Sequence, residues 1–328
     1  MLQAVCMIQI RIGDYMKSYV RSCISTERNE KKLKKDMRMK FIFMLAALVS
    51  SSAIAIIIIF IAMKGVSPFL PDYQYGQVDI VGFLTGSVWR KDQGLYGVGF
   101  IIINTLVSAF AALLLSFPVS VLTALFIAKI APKRIAAAMT TVVELLASIP
   151  SVVYGVFASG TITVIVSNIA RSFGFITTGG SSLLAVILLL AIMIFPTITS
   201  LSITAIQAVG KEMEEGSLAL GATKTQTNFK VILSCAKSGI FAGAILGIGR
   251  AFGEATAVAM VAGNKMFGPT FNLFDTTRTL TTTMLSGLKE TTGLDYDIRF
   301  SVGLVLMAVI LISNLLLNMV KKKVGNVK

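Results

Sequence analysis

There is no histidine in the 328 residues, and only 14% of them are charged. Without imidazole there is no Ser-His triad, no histidine metal site and no side chain that ordinarily exchanges a proton near neutral pH. Cys6, Cys23 and Cys235 have neither the spacing nor the even number of a disulfide framework, so they read as reduced bystanders. A soluble domain carries about 25% charge, and the shortage here argues against a water-soluble enzyme. What the chain has in quantity is apolar side chains, 55% of the total, with a mean hydropathy of +0.81. It reads as an all-α, polytopic membrane protein.

A span of the hydrocarbon core takes about 20 apolar residues. Charge-poor runs of that kind cover 41–63, 98–128, 135–159, 182–206, 239–262 and 300–320, which predicts six transmembrane helices. The first is preceded by some forty residues and no convincing cleavage site, so it is expected to remain as an anchor rather than be removed as a signal peptide. Pro118, Pro150 and Pro196 fall inside these runs and read as kinks, which membrane helices tolerate.

Net charge is +14 and unevenly spread. If both termini are cytoplasmic, the segments 1–40, 129–134, 207–238 and 321–328 hold 21 basic and 7 acidic residues, against 8 and 7 in the loops on the other side. That is the positive-inside pattern, and it accounts for the basic excess without nucleic acid. The run from Arg28 to Lys40 suits a segment facing anionic membrane lipid. Residues 1–26 read as an amphipathic helix or a disordered leader. The predicted organisation is a basic leader (1–40), a permease domain (41–323) with a large cytoplasmic loop at 207–238, and a short tail (324–328).

No nucleotide site is visible. Gly216 to Gly221 has the glycine spacing of a phosphate loop, but Ala222 and Thr223 follow where Lys and Ser or Thr are needed, and no strand precedes it. The 207–238 loop predicts a helix over 212–220, a left-handed stop at Gly221 and a second helix over 225–233. Such a pair serves either to dock a partner or simply to connect two spans.

In the fifth span, Gly239, Gly243, Gly247, Arg250 and Glu254 share one helical face at roughly 100° per residue. The glycines predict close helix packing. Charges at membrane depth are costly and are expected to face the bundle or a watery path. Two readings stay open: an internal Arg250–Glu254 ion pair that locks the bundle, or an anion pathway in which Arg250 offers its planar fork to oxyanion oxygens. Glu144 reads as an acid near the cytoplasmic start of the third span, favoured by the helix dipole. Tyr73, Tyr75, Trp89 and Tyr96 read as an interfacial belt or a docking surface.

Glu215-Gly-Ser, three residues, Gly221, nine residues, then Val231-Ile-Leu-Ser234 resembles the cytoplasmic-loop signature of ABC importer permeases, with the Leu233 register kept and serine in place of the final proline. Phe83 to Trp89, Glu144 to Gly155, Gly249 to Glu254, Met260 to Asn264 and the Thr-rich run after Arg278 are similar to the PstC-type permease subunits of phosphate importers. The resemblance implies a type I ABC importer permease fold and a bacterial or archaeal cytoplasmic membrane. Its implied partners are a homologous permease subunit (PstA-like), two ATPase subunits (PstB-like) and an extracytoplasmic phosphate-binding protein (PstS-like). It also implies that Glu215, Gly221 and Leu233 couple to the ATPase and that no cofactor is held by this chain. Sulfate or molybdate transport is the near alternative, and an ion-coupled secondary anion carrier the more distant one.

Overall fold

The computed structural model describes residues 35–325. The expectations for residues 1–26, for Cys6 and Cys23 and for residues 326–328 lie outside that range. The chain divides into two compact units, Met1–Phe60 and Ile61–Lys328. Helix α1 (35–66) begins in the first, where it carries exposed Ile, Leu, Met and Phe side chains on every face from Phe41 to Phe60. A helix apolar all round suits lipid rather than water.

In the second unit, α1 ends in a tight turn at Ser67–Phe69. The short helix α2 (Ile80–Thr85) follows, capped by the Asp79 carboxylate on the Val81 and Gly82 amides. A two-stranded hairpin then pairs β1 (Trp89–Arg90) with β2 (Leu95–Tyr96). Next come α3 (Gly99–Leu125), which opens into a wide π turn at Phe126–Ile130, and α4 (Lys133–Ser148). The third crossing is built from α5 (Ser151–Phe157), a π turn at Ala158–Ile162 and α6 (Thr163–Ser172). Then follow α7 (Leu183–Gln207), α8 (Lys211–Ala219), α9 (Lys224–Gln226), a π turn at Thr227–Ile232, and α10 (Leu233–Gly253). The short helices α11 (Thr256–Val261) and α12 (Leu280–Leu285) precede α13 (Leu294–Gly325).

Six helices among the described residues are long and apolar enough to cross a membrane: Lys35–Phe69, Gly99–Ile130, Ser151–Ser172, Leu183–Gln207, Lys224–Gly253 and Leu294–Lys323. The most buried is α7, which packs on both α3 and α10. Leu183, Leu190, Ile194 and Ile198 of α7 form the core with Ile248 and Phe252 of α10. Pro118 and Pro196 lie inside α3 and α7, which continue past them.

Two spans differ from the sequence expectation. The third does not run over 135–159. Ile149, held extended (ψ 128°) in front of Pro150, ends α4, and the crossing starts afresh at Ser151. A residue before proline is disfavoured in the helical region, so Pro150 breaks the helix rather than kinking it. The Tyr154 hydroxyl donates to the Leu146 carbonyl (2.8 Å) and ties the two sides of the break together. Glu144 is therefore an exposed residue in the second half of α4 and not an acid at a helix start. The fifth span starts earlier, at Lys224, and ends at Gly253 instead of continuing to 262.

Two aromatic residues of the first long loop, Trp89 and Tyr96, also depart from both readings of them. Trp89 and Tyr96 are buried, cross-strand neighbours packed edge to face at 5.4 Å. They belong to a small core with Phe83, Phe100 and Ile298.

Candidate functional site

The glycine face of α10 lies against α7. A Cβ on Gly247 would stand 2.8 Å from Ile198 Cγ1, and one on Gly243 would stand 3.3 Å from Leu201 Cβ. Gly239 is equally tight, its added Cβ falling 2.5 Å from that of Ala205. Missing side chains thus let the two helices approach closely. By contrast, a Cβ on Gly249 or Gly253 would meet nothing within 4 Å, so that side of α10 is open. Arg250 stands between Gly247 and Gly253, about 60° from each around the helix. Half-buried at the boundary between the packed and open faces, its guanidinium donates from Nη1 to Thr197 Oγ1 of α7 at 3.1 Å.

Glu254 is the residue on which α10 closes: its backbone turns extended (φ −76°, ψ 118°), so the helix predicted to run over 239–262 stops here and the chain changes direction after it. The cause is local capping. The Glu254 carboxylate accepts the Ala257 amide (2.9 Å) and the Thr256 hydroxyl (3.4 Å), while the Glu254 carbonyl accepts the Thr281 hydroxyl (2.8 Å). A carboxylate that satisfies free amides at the next helix start holds the break. Among the described residues, Arg250 and Glu254 form no ion pair, and both carboxylate bonds use the same oxygen, Oε1. Among the described residues, the Arg250 guanidinium beside the open face has a single, neutral hydrogen-bond partner, and Oε2 of Glu254 has none.

At one end of the bundle, α8 and α9 form the expected helix, glycine, helix element. Glu212 and Glu214 occupy the first turn of α8, where the helix dipole favours acids. Gly221 adopts φ +83°, and the amides of Gly221 and Ala222 turn back to the Leu218 and Ser217 carbonyls. This is the left-handed stop that glycine accommodates without a Cβ penalty. Thr223 and Gln226 close a capping box at the start of α9, and the Ser217 and Thr227 hydroxyls join the two helices at 2.9 Å. Glu214 pairs with Lys129 at 2.6 Å, linking α8 to the end of α3. Glu215 is exposed, and so are Met213, Leu218 and Phe229, while Leu220 is 90% exposed. Leu233 is half-buried and packs into a cluster with Ile206 and Ile232.

At the other end, sequence reasoning noticed the run at Arg278 but assigned it no role and overlooked Arg299. Both arginines are buried. Arg278 donates to the Asn264 carbonyl (3.2 Å), and Arg299 to the carbonyls of Thr283 (2.7 Å) and Ser286. Burial, and next the neighbouring Arg299 guanidinium, pull the Arg278 pKa down to about 10, which still leaves it charged at neutral pH. Tyr73 donates to Asp297 (2.8 Å) and Tyr96 to Asp295, and Lys64 pairs with Asp297 at 3.2 Å. Burial first and the carboxylates next push both phenols upward, so they remain neutral donors. The only advance signal was a set of charges flanking a span, with no spacing to show which would meet.

Residues 118–326 match the family described as "Binding-protein-dependent transport system inner membrane component". The chain belongs to this family. It is an ABC importer permease subunit, embedded in the inner membrane through several spans. A "Probable ABC transporter permease protein YqgH" of Bacillus subtilis (strain 168) is 38% identical over 83% of this chain and 86% of that protein. A "Phosphate transport system permease protein PstC" of Pasteurella multocida (strain Pm70) is 31% identical over 74% of this chain and 81% of that one. Among solved structures, a bacterial ABC transporter for import of the acidic polysaccharide alginate aligns with a TM-score of 0.59 at 20% identity, over 90% of this chain and 100% of the other. That likeness places the chain in the type I ABC importer permease fold.

Proposed function

We propose that the chain forms part of the translocation path of an ATP-driven importer for inorganic phosphate and itself performs no covalent chemistry. The observation that carries the reading is Arg250, a guanidinium at the edge of the open face of α10 whose one hydrogen-bond partner among the described residues is the neutral Thr197 hydroxyl. An arginine fork matches two oxyanion oxygens at once. The PstC relatives support phosphate as the oxyanion.

Glu254 fits phosphate for a reason of proton count. Phosphate near neutral pH keeps at least one acidic proton and can donate it to a carboxylate, whereas sulfate and molybdate have none to give. The free Oε2 of Glu254 is the acceptor in this reading. The partners are a homologous permease subunit, two ATPase subunits and an extracytoplasmic phosphate-binding protein, with both termini cytoplasmic. Glu215, Gly221 and the exposed apolar residues of α8 form the surface that meets the ATPase, while Leu233 anchors that element to the bundle. ATP-driven movement there would reorient α10 through the continuous helix from Lys224 to Gly253.

The test is uptake of labelled phosphate by cells with and without this chain, in a strain lacking other phosphate importers, competed by sulfate and molybdate. Uptake that depends on the chain and resists both competitors is expected. Uptake that is unchanged without the chain, or that sulfate suppresses as well as phosphate does, refutes the phosphate assignment.

A further inference from the structure

A cavity of about 270 Å³ lies at the end of the bundle away from α8, between the β1 turn, the end of α12 and the start of α13. Arg278 and Arg299 line it, with Arg90 and Lys91 exposed at its rim, and the carboxylates in its wall are those of Asp92 and Glu290. Cations therefore outnumber carboxylates by four to two. Arg278 is 8% exposed and Arg299 5%, so neither charge is solvated as a surface arginine would be. Each gives one amino nitrogen to backbone carbonyls, and the buried Nε of each has no acceptor. Two desolvated guanidinium groups beside one another, each with a donor unsatisfied, are a costly arrangement unless an acceptor of opposite charge joins them. Within the chain, Arg299 ties the end of α12 and the Asp295 carboxylate offsets part of its charge, while Arg278 adds a second positive charge to the same wall.

We infer that this cavity is a second oxyanion site, separate from Arg250, in which a small tetrahedral oxyanion such as phosphate or sulfate bridges Arg278 and Arg299. Charge-assisted bonds from arginine are the chemistry that recognises such an ion. Arg90 and Lys91 raise the local positive potential at the mouth and favour entry, while Asp92 and Glu290 limit affinity so that the ion also leaves. The inference goes beyond the pathway reading, since it uses none of the same residues and holds whichever oxyanion the transporter carries.

The experiment is equilibrium binding of labelled inorganic phosphate, and in parallel labelled sulfate, to the full transporter in lipid nanodiscs with the extracytoplasmic binding protein omitted. Arg278→Met and Arg299→Met should each weaken one class of saturable sites about tenfold or more, the loss expected for a charged hydrogen bond. These changes fall in a packed region, so rim variants give an independent readout. Arg90→Ala and Lys91→Ala should each weaken binding about threefold, and Glu290→Gln should tighten it by a similar factor, with all three effects shrinking at high salt. Nanodiscs of phosphatidylcholine alone and with added phosphatidylglycerol separate a free ion from a lipid headgroup: equal affinity in both is expected. The inference fails if neither anion binds saturably, if the rim variants leave affinity untouched, or if anionic lipid abolishes binding. The rim-variant and lipid outcomes do not bear on Arg250, whose role is read by uptake.

Discussion

The two ends of the bundle solve opposite problems with the same element, a glycine held at positive φ. At the α8 end, Gly221 (φ +83°) turns the chain in open space, with nothing within 4 Å of where a Cβ would stand. At the other end, Gly180 (φ +82°) is pressed against the Thr163 carbonyl, and its neighbours are tied in, Ser182 to Val261 and Leu183 to Asp275 through backbone bonds. At the Gly221 end Met213, Leu218, Leu220 and Phe229 are exposed, and the Lys129–Glu214 pair and the half-buried Leu233 tie the element to the bundle; at the Gly180 end the threonines of α12, two buried arginines and two tyrosines are bonded to their own chain. One end is held largely by bonds within its own chain. The other presents apolar side chains outward, on the surface proposed above to meet the ATPase.

The comparison breaks most visibly at Gly180. Gly180→Val must shift the Thr163 backbone as well as bear a left-handed valine, at a cost of roughly 3 kcal/mol or more. Membrane abundance and the thermal melting point of the purified complex should both fall sharply. Gly221→Val carries only the conformational strain, roughly 1–2 kcal/mol, and should stay inserted and folded while uptake is lost. Equal behaviour of the two variants would erase the distinction.

A smaller effect is expected at Leu220, whose exposed side chain contributes nothing to the fold of this chain. Leu220→Ser should leave melting unchanged and weaken association with the ATPase subunit about tenfold, the worth of one buried leucine at an interface. Undiminished co-purification and transport would place the docking surface elsewhere. The smallest effect belongs to Lys129 and Glu214. A double-mutant cycle with Lys129→Met and Glu214→Gln, read as melting of the complex, should give a coupling of about 0.5–1 kcal/mol that declines with added salt.

Much of this layout was legible in the residues. Charge-free runs marked α1, α3 and α7, the fourfold glycine spacing marked the α10 face that meets α7, and Gly221 with its flanking helix formers marked the turn at the α8 end. What the pattern of residues did not reveal had a physical cause in each instance. Hydropathy passes smoothly through Ile149 and Pro150 and cannot distinguish the break between α4 and α5 from a kink. Periodicity cannot register that the Glu254 carboxylate caps the next helix, so the end of α10 at Gly253 is not visible in it. The meeting of Arg278 with Arg299 depends on how α12 folds back on α13, and Trp89 pairs with Tyr96 only once the hairpin forms. Long-range packing of charged and aromatic groups carries no local signature.

The claim on which the functional account rests is that Arg250 touches the transported anion. Reconstitute the full transporter in proteoliposomes with Arg250→Met and Arg250→Lys, matched for assembly and ATP hydrolysis, and measure uptake of labelled phosphate. The account predicts that Arg250→Met loses about tenfold or more of the uptake rate, because one charge-assisted contact is gone. Arg250→Lys should remain impaired, because a point charge does not replace a planar fork. Wild-type uptake by Arg250→Met would contradict it.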